Sequence, residues 1–360
     1  MTQPHSHIAT MAPYALAQMA PPPGKALVSL AQNESLRPPS PLVIKAAAEA
    51  LADGAAYPDP DWTALRHALA DLHGIAADQI LCGNGSLDLI GCLMRVYAGP
   101  QRSVLMPAHS YPFFRTASEM AGAAVVTAPE QEETVCVDTL LAAVAPETSL
   151  VCVANPGNPT GTRIPKSELL RLRAGLRDDV LLIIDEAYGE YCDDDKTRCW
   201  DMVEDGGCVV LRTFSKAYGM AGFRVGWGLF PAAVAAQLRK VMNPNNVPHA
   251  SQVAAAAALG DQAYMRETCQ ITGTLRDAAH GTLQRAGFDV VPSHTNFLLI
   301  RFDSAELAQE VEAALIAEGI FLRRQQGAGL PHALRMTMGP ETATRAAIAR
   351  LIQWKTGGVV

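Results

Sequence analysis

Lys216 follows an apolar stretch, Val209, Val210 and Leu211, and the hydroxyls of Thr213 and Ser215; Arg224 stands eight residues beyond it. A lysine at the mouth of a buried strand is desolvated. Desolvation disfavours the ammonium and leaves a neutral amine, the form that attacks an aldehyde. Hydroxyls before the lysine and a guanidinium after it suit a phosphate dianion. An aldehyde and a phosphate on one small molecule describe pyridoxal phosphate. A loop lysine after an ordinary strand has the same local look, so the rest of the chain must decide between the two.

Four other stretches carry chemistry-bearing side chains at the ends of apolar runs. Gly83-Asn-Gly-Ser86 turns from a strand into a helix, where free N–H groups beside a hydroxyl can cradle phosphate. An ordinary glycine turn with Ser86 as a helix cap explains it equally, and no glycine follows at the spacing of a dinucleotide fingerprint. The run 180–185 ends in Asp185 and Glu186. A carboxylate there can pair with a pyridine nitrogen and keep it protonated, and Tyr188 can donate to a phenolic oxygen. A Walker B strand looks the same but needs a phosphate loop upstream; the nearest candidate, 161–167, lacks its second glycine. Asn158 lies in a turn with two Asn-Pro pairs, which stiffen the backbone and present its amide. Tyr111, after Met106-Pro-Ala-His109, is a ring able to stack on a flat cofactor or simply to pack in the core.

These residues need a scaffold that brings strand ends together. Open α/β sheets bind ligands at the carboxyl ends of their strands. Apolar runs at 79–82, 103–106, 123–127, 150–154, 180–185, 209–211 and 225–229 predict a mostly parallel seven-stranded sheet covered on both faces. Helical patterns at 87–97, 114–121 and 166–176 fall between them. Residues 1–40, rich in Pro and Ala, read as an extended arm outside the core. Helices are expected at 41–54 and 61–73. Residues 41–250 form the expected large domain and 251–360 a smaller α+β domain. The latter has a long helical stretch at 251–283 broken near Gly260 or Gly273, strands at 296–302, 320–324 and 334–338, and helices at 305–318 and the end.

Composition limits the function classes. The 360 residues are 49% hydrophobic and 18% charged, enough for a substantial core. The net charge of −7 argues against a general nucleic-acid binder. The eight cysteines show no C-x-x-C pair, so neither a zinc nor a redox motif is expected, and a reducing cytoplasm is the simplest compartment. The first residues lack a signal-peptide pattern, and no apolar run is long enough to span a bilayer.

Asn158-Pro-Thr-Gly161, Asp185-Glu-Ala-Tyr188 and Ser215-Lys216 with Arg224, in this order and spacing, resemble the fold-type I pyridoxal-phosphate aminotransferases of class I and II. Within them the chain is most similar to the histidinol-phosphate aminotransferases. Met11-Ala-Pro-Tyr14, Tyr57-Pro-Asp-Pro60, Gly83-Asn-Gly-Ser86, the stretch 213–224 and Leu334-Arg-Met-Thr-Met-Gly339 carry that likeness. The resemblance implies that Lys216 carries the cofactor and shuttles the substrate proton. Asp185 would pair with the ring nitrogen, Tyr188 and Asn158 would bond the phenolic oxygen, and Tyr111 would stack on the ring. Gly85, Ser86, Thr213, Ser215 and Arg224 would hold the phosphate. Tyr57 would reach it from a neighbouring subunit, which implies a homodimer. Arg335, and Arg323 in preference to Arg324, would bind substrate anions, with Asn158 beside them. Amine and keto-acid substrates are implied, histidinol phosphate and 2-oxoglutarate first among them.

The chain departs from the family where substrate and entrance are shaped: Asn33-Glu-Ser-Leu36 replaces Asn-Glu-Asn-Pro, Leu87-Asp88 replaces two acids, and the stacking aromatic is embedded in His109-Ser-Tyr111 and not in a Pro-Thr pair. An aromatic amino-acid aminotransferase is the nearest alternative. A decarboxylase of a phosphorylated amino acid would use the same cofactor set. A cofactor-sensing regulator would carry an N-terminal DNA-binding unit, for which the first 40 residues are too short and proline-rich.

Overall fold

The computed structural model describes residues 2–14, 20–192 and 198–357. Residues 1 and 15–19 of the expected arm, 193–197, and 358–360 at the end of the expected smaller unit lie outside the described residues.

Thirteen strands occur among the described residues. Seven build the large sheet: β2 (Ile80–Gly83), β3 (Ser103–Pro107), β4 (Ala124–Ala128), β5 (Thr148–Ala154), β6 (Leu181–Asp185), β7 (Cys208–Thr213) and β8 (Gly226–Leu229), with β1 (Val28–Ser29) preceding them. Their order is β2-β8-β7-β6-β5-β3-β4. Every strand of this sheet runs in one direction except β8, which is antiparallel to both β2 and β7. Along β5, β6 and β7 every residue is buried. Helices cover both faces, which is why these strands read as unbroken apolar runs and not as alternating ones.

The smaller sheet has the order β12-β13-β10-β9, all neighbours antiparallel: β9 (Asp289–Val291), β10 (Phe297–Arg301), β12 (Arg323–Gln325) and β13 (Leu330–Thr337). It packs on helices Gln262–Arg285, Ala305–Ala317 and Glu341–Lys355 around a second apolar core containing Leu298, Ile300, Leu315, Leu334 and Leu351.

Several expected elements differ in detail. The helical stretch 251–283 is two helices, His249–Leu259 and Gln262–Arg285. The break falls at Gly260 and Asp261, where the Asp261 carboxylate accepts from Tyr264 N–H and starts the next helix. Gly273 lies inside that second helix, where it costs propensity but leaves the hydrogen bonding unbroken. The strand expected at 320–324 is two: β11 (Ile320–Phe321) pairs with β1, and β12 pairs with β13. The arm is not wholly outside the core. β1 lies parallel to β11, and Leu30 is buried in the second core. Apolar Val28 and Leu30 find partners that only tertiary contact supplies. No helix among the described residues is long and apolar enough to cross a membrane.

Candidate active site

The carboxyl ends of β5, β6 and β7 are adjacent, and each delivers a side chain to one cavity of about 490 Å³: Asn158 after β5, Asp185 ending β6, and Lys216 after β7. Ser86 and Tyr111 arrive from the turns after β2 and β3. Arg224 comes from the opposite logic. It precedes β8, and because β8 is antiparallel its beginning lies at the same edge as the others' ends.

The Lys216 amine donates to the carbonyls of Asn33 at 3.1 Å and Gln32 at 3.4 Å. Burial lowers its pKa to about 8, and the cationic Arg335 and Arg224 push in the same direction. The neutral amine is therefore far more populated near neutral pH than on an ordinary lysine. Asp185 is buried, and burial raises its carboxyl to about 7 against the opposing hydrogen bond from Ala187 N–H. Such a carboxyl gains most from a buried cation. Tyr188 is pushed up to about 12, chiefly by burial, so it stays a neutral hydroxyl.

The corner between helix Ser86–Tyr97 and Arg224 is tightly made. Helix Ser86–Tyr97 begins with Gly85 at its cap position and without a side-chain cap, leaving N–H groups and the positive end of the helix exposed to the cavity. Ser86 is thus the first helical residue and not the cap. Arg224 Nη1 donates to Ser215 Oγ at 3.3 Å, and Thr213 Oγ1 donates to the same oxygen at 3.0 Å. Gly85 has φ +74°, and a Cβ on it would sit 2.3 Å from Arg224 Nη2. A Cβ on Gly226 would meet Ser86 N at 2.1 Å. Both glycines are required for the arginine and the helix start to meet.

On the other wall Arg323 and Arg335 face each other across β12 and β13 and both line the cavity. Arg335 is buried; its Nη1 donates to Asn158 Oδ1 at 2.6 Å and its Nη2 to Ala31 O at 2.8 Å. Arg324 alternates to the opposite face and pairs with Glu312 at 3.6 Å. The peptide bonds Asn155–Pro156 and Asn158–Pro159 are both cis.

Of the residues singled out from sequence, Tyr57 alone lies away from this constellation. It is 89% exposed in the single chain. Conversely, Tyr14, Asn33, Glu34 and Gln325 line the cavity without having been assigned roles. Tyr14 fell within a stretch that carries the family likeness, whereas Asn33 and Glu34 fell within one that departs from it. Nothing local in the chain marks Gln325, which is brought in by the pairing of β12 with β13.

The residues fit pyridoxal phosphate on structural grounds. A buried carboxyl without an ion-pair partner among the described residues, an uncapped helix start beside an arginine and two hydroxyls, and a lysine shifted by burial toward its neutral form share one cavity. Comparison with known proteins agrees. The family described as aminotransferase class I and II matches residues 25–351. The histidinol-phosphate aminotransferase of Paramagnetospirillum magneticum is 40% identical over 90% of this chain and 91% of its own length. That of Rhodospirillum rubrum is 37% identical over 99% and 97%. The crystal structure of histidinol-phosphate aminotransferase from Sinorhizobium meliloti in complex with pyridoxal-5'-phosphate superposes with a TM-score of 0.92 at 28% identity, over 100% of this chain and 99% of that one. A Thermus thermophilus aspartate aminotransferase mutant, 21% identical, shares the fold with a TM-score of 0.85. Strand-end geometry and sequence relationship converge: the chain belongs to the class I and II aminotransferases and is a pyridoxal-phosphate-dependent transaminase.

Proposed function

We propose that the chain transfers the amino group of histidinol phosphate to 2-oxoglutarate, a step of histidine biosynthesis. The observation that carries this reading is the cross-strand pair Arg323 and Arg335, two guanidiniums that line the same cavity as Lys216. Two cations suit a substrate that presents a dianionic phosphate in one half-reaction and carboxylates in the other. The relatives' names point to the same amine.

Pyridoxal phosphate, when bound, supplies an electron sink for the bond broken at the substrate carbon. The chain's own groups do the rest. Asp185 would hold a positive charge at the cavity floor, because a carboxyl raised by burial is stabilised as an anion only by a cation beside it. Gly85, Ser86, Thr213, Ser215 and Arg224 would hold the phosphate, and Asn158 and Tyr188 would fix the ring oxygen. Tyr111 would cover the ring. Lys216, with its pKa near 8, would take up the substrate proton as a neutral amine and hold it in transit.

Arg335→Lys tests the anion site. Lysine keeps the charge and loses the planar two-point fork. KM should rise at least tenfold for both glutamate and histidinol phosphate, with cofactor affinity little changed. Steady-state titration of each substrate, within a panel of amine donors offered with 2-oxoglutarate, is the measurement. Loss confined to glutamate, or a preference for aromatic amino acids across the panel, would replace histidinol phosphate with an aromatic donor.

A homodimer is part of the proposal. Tyr57 is exposed near a helix, Pro41–Ala50, that also exposes Leu42 and Ile44, and Leu51 follows it. Several large apolar side chains left exposed in one stretch of chain suit a protein partner. A second copy would bring Tyr57 to its neighbour's phosphate corner. The eight free thiols suit a reducing cytoplasm.

A further inference from the structure

Asn33 takes part in more contacts around the cavity than any role assigned above accounts for. It is buried and left-handed, with φ 56°. Each of its polar groups is engaged. Its N–H donates to Thr337 Oγ1 at 2.9 Å, and that hydroxyl donates back to Asn33 Oδ1 at 3.1 Å. Its carbonyl accepts from Asn296 Nδ2 at 3.1 Å and from the Lys216 amine at 3.1 Å. Its Nδ2 donates to the Tyr188 hydroxyl at 2.7 Å.

The directions of these bonds follow from Thr337. Its oxygen accepts from the Asn33 N–H and its single hydroxyl hydrogen is directed to Oδ1, so one hydroxyl serves both groups of the same residue. With Oδ1 toward Thr337, the amide nitrogen faces Tyr188. The tyrosine oxygen receives a hydrogen there, so its own proton turns to its other side. Tyr188 lines the cavity that Lys216 enters. We propose that Asn33 is a positioning residue that holds the Tyr188 hydroxyl as a hydrogen-bond donor into the cofactor cavity. The inference rests on the cofactor role of Tyr188 proposed above and adds what sets its proton.

The left-handed backbone suits this task. Asn, Asp and Gly tolerate that conformation, so the side chain can be changed with the turn preserved. Asn33→Asp replaces the donor with an acceptor, which would draw the Tyr188 proton toward residue 33. Asn33→Gly removes the donor without adding charge.

The test is a pH titration of the visible absorption of the holoenzyme, whose lysine–cofactor chromophore changes colour as its nitrogen loses a proton. A donor to the ring oxygen stabilises that oxygen as an anion, weakens its hold on the neighbouring proton and lowers the midpoint. Asn33→Asp should therefore raise the midpoint by about one pH unit, and Asn33→Gly by less. Arg335, Asp185 and Tyr14 face Tyr188, and Arg335, Arg224, Glu34 and Asp185 face Lys216; all are unchanged in both variants. Added charge alone is separated by a cycle with Tyr188→Phe. If Asn33 acts through Tyr188, the Asp shift shrinks in the Phe background. An undiminished shift there overturns the proposal, as does a wild-type midpoint in both single variants, which would mean that Tyr188 already gives its proton to residue 33. A structural role alone would lower thermal stability and leave the midpoint in place. Absence of a Lys216-dependent visible band in the wild type would instead defeat the cofactor assignment itself.

Discussion

Two titrating residues at the floor of the cavity make opposite demands on pH, and both can be measured in the cofactor-free protein. Lys216 is lowered to about 8 by burial and by Arg335 and Arg224. Labelling by an amine-reactive reagent should rise through pH 8 at Lys216 and continue to about 10.4 at exposed lysines. Peptide-resolved labelling against pH checks this; a Lys216 midpoint as high as that of exposed lysines would contradict the desolvation argument. Lys216→Ala should abolish turnover and the borohydride-fixed adduct while preserving the fold. Asp185 titrates near 7 when folded, above its ordinary value near 3.8. The folded state then binds more protons than the unfolded one between these values, so this group lowers stability as pH rises from about 4 to 7. Asp185→Asn should accordingly stabilise the cofactor-free protein above pH 7, with little effect near pH 4. The same variant should lose orders of magnitude in transamination. Thermal unfolding of both proteins at the two pH values tests the first claim; equal stability at both would refute it.

At the scale of elements, the proposed phosphate corner depends on one reversed strand. Only β8 runs against the sheet, and this brings Arg224 back to the edge where β7 delivered Ser215 and Lys216. The turn before helix Ser86–Tyr97 has to pass within bonding distance of that arginine, which the glycines at 85 and 226 allow. Gly85→Ala adds a methyl against Arg224 in a left-handed backbone, a strain of ~1–3 kcal/mol. Cofactor affinity should fall by about ten- to a hundredfold, with the secondary structure intact. Equilibrium binding of pyridoxal phosphate followed by absorbance is the check, and unchanged affinity would show that the corner can relax. The glycine-rich turn and the apolar strand were legible in the chain because both are local. The direction of β8 was not, because a short apolar run looks alike either way round.

For the whole molecule, the exposed Tyr57 is the testable point. If the proposed homodimer places Tyr57 at its neighbour's phosphate corner, Tyr57→Phe removes only a hydroxyl there and should weaken cofactor binding severalfold without changing the oligomeric state. Sedimentation alongside cofactor titration distinguishes this from a monomer, in which the substitution would have no effect.

Apolar runs ending in lysine, aspartate, asparagine and glycine turns indicated that strand ends would carry the chemistry, and their order and spacing along the chain, by resemblance to the aminotransferases, indicated the cofactor. The alternation of side chains along a strand likewise set Arg323 and Arg324 on opposite faces. What only the tertiary structure decided is long-range. Asn33 meets Lys216 across 183 positions of sequence and Thr337 across 304. β1 leaves the arm to pair with β11, and Leu30 enters the second core. A hydrogen-bonding side chain or a two-residue strand has no preferred partner in local sequence; its partner is chosen by which surfaces the two cores bring together, and that choice is collective.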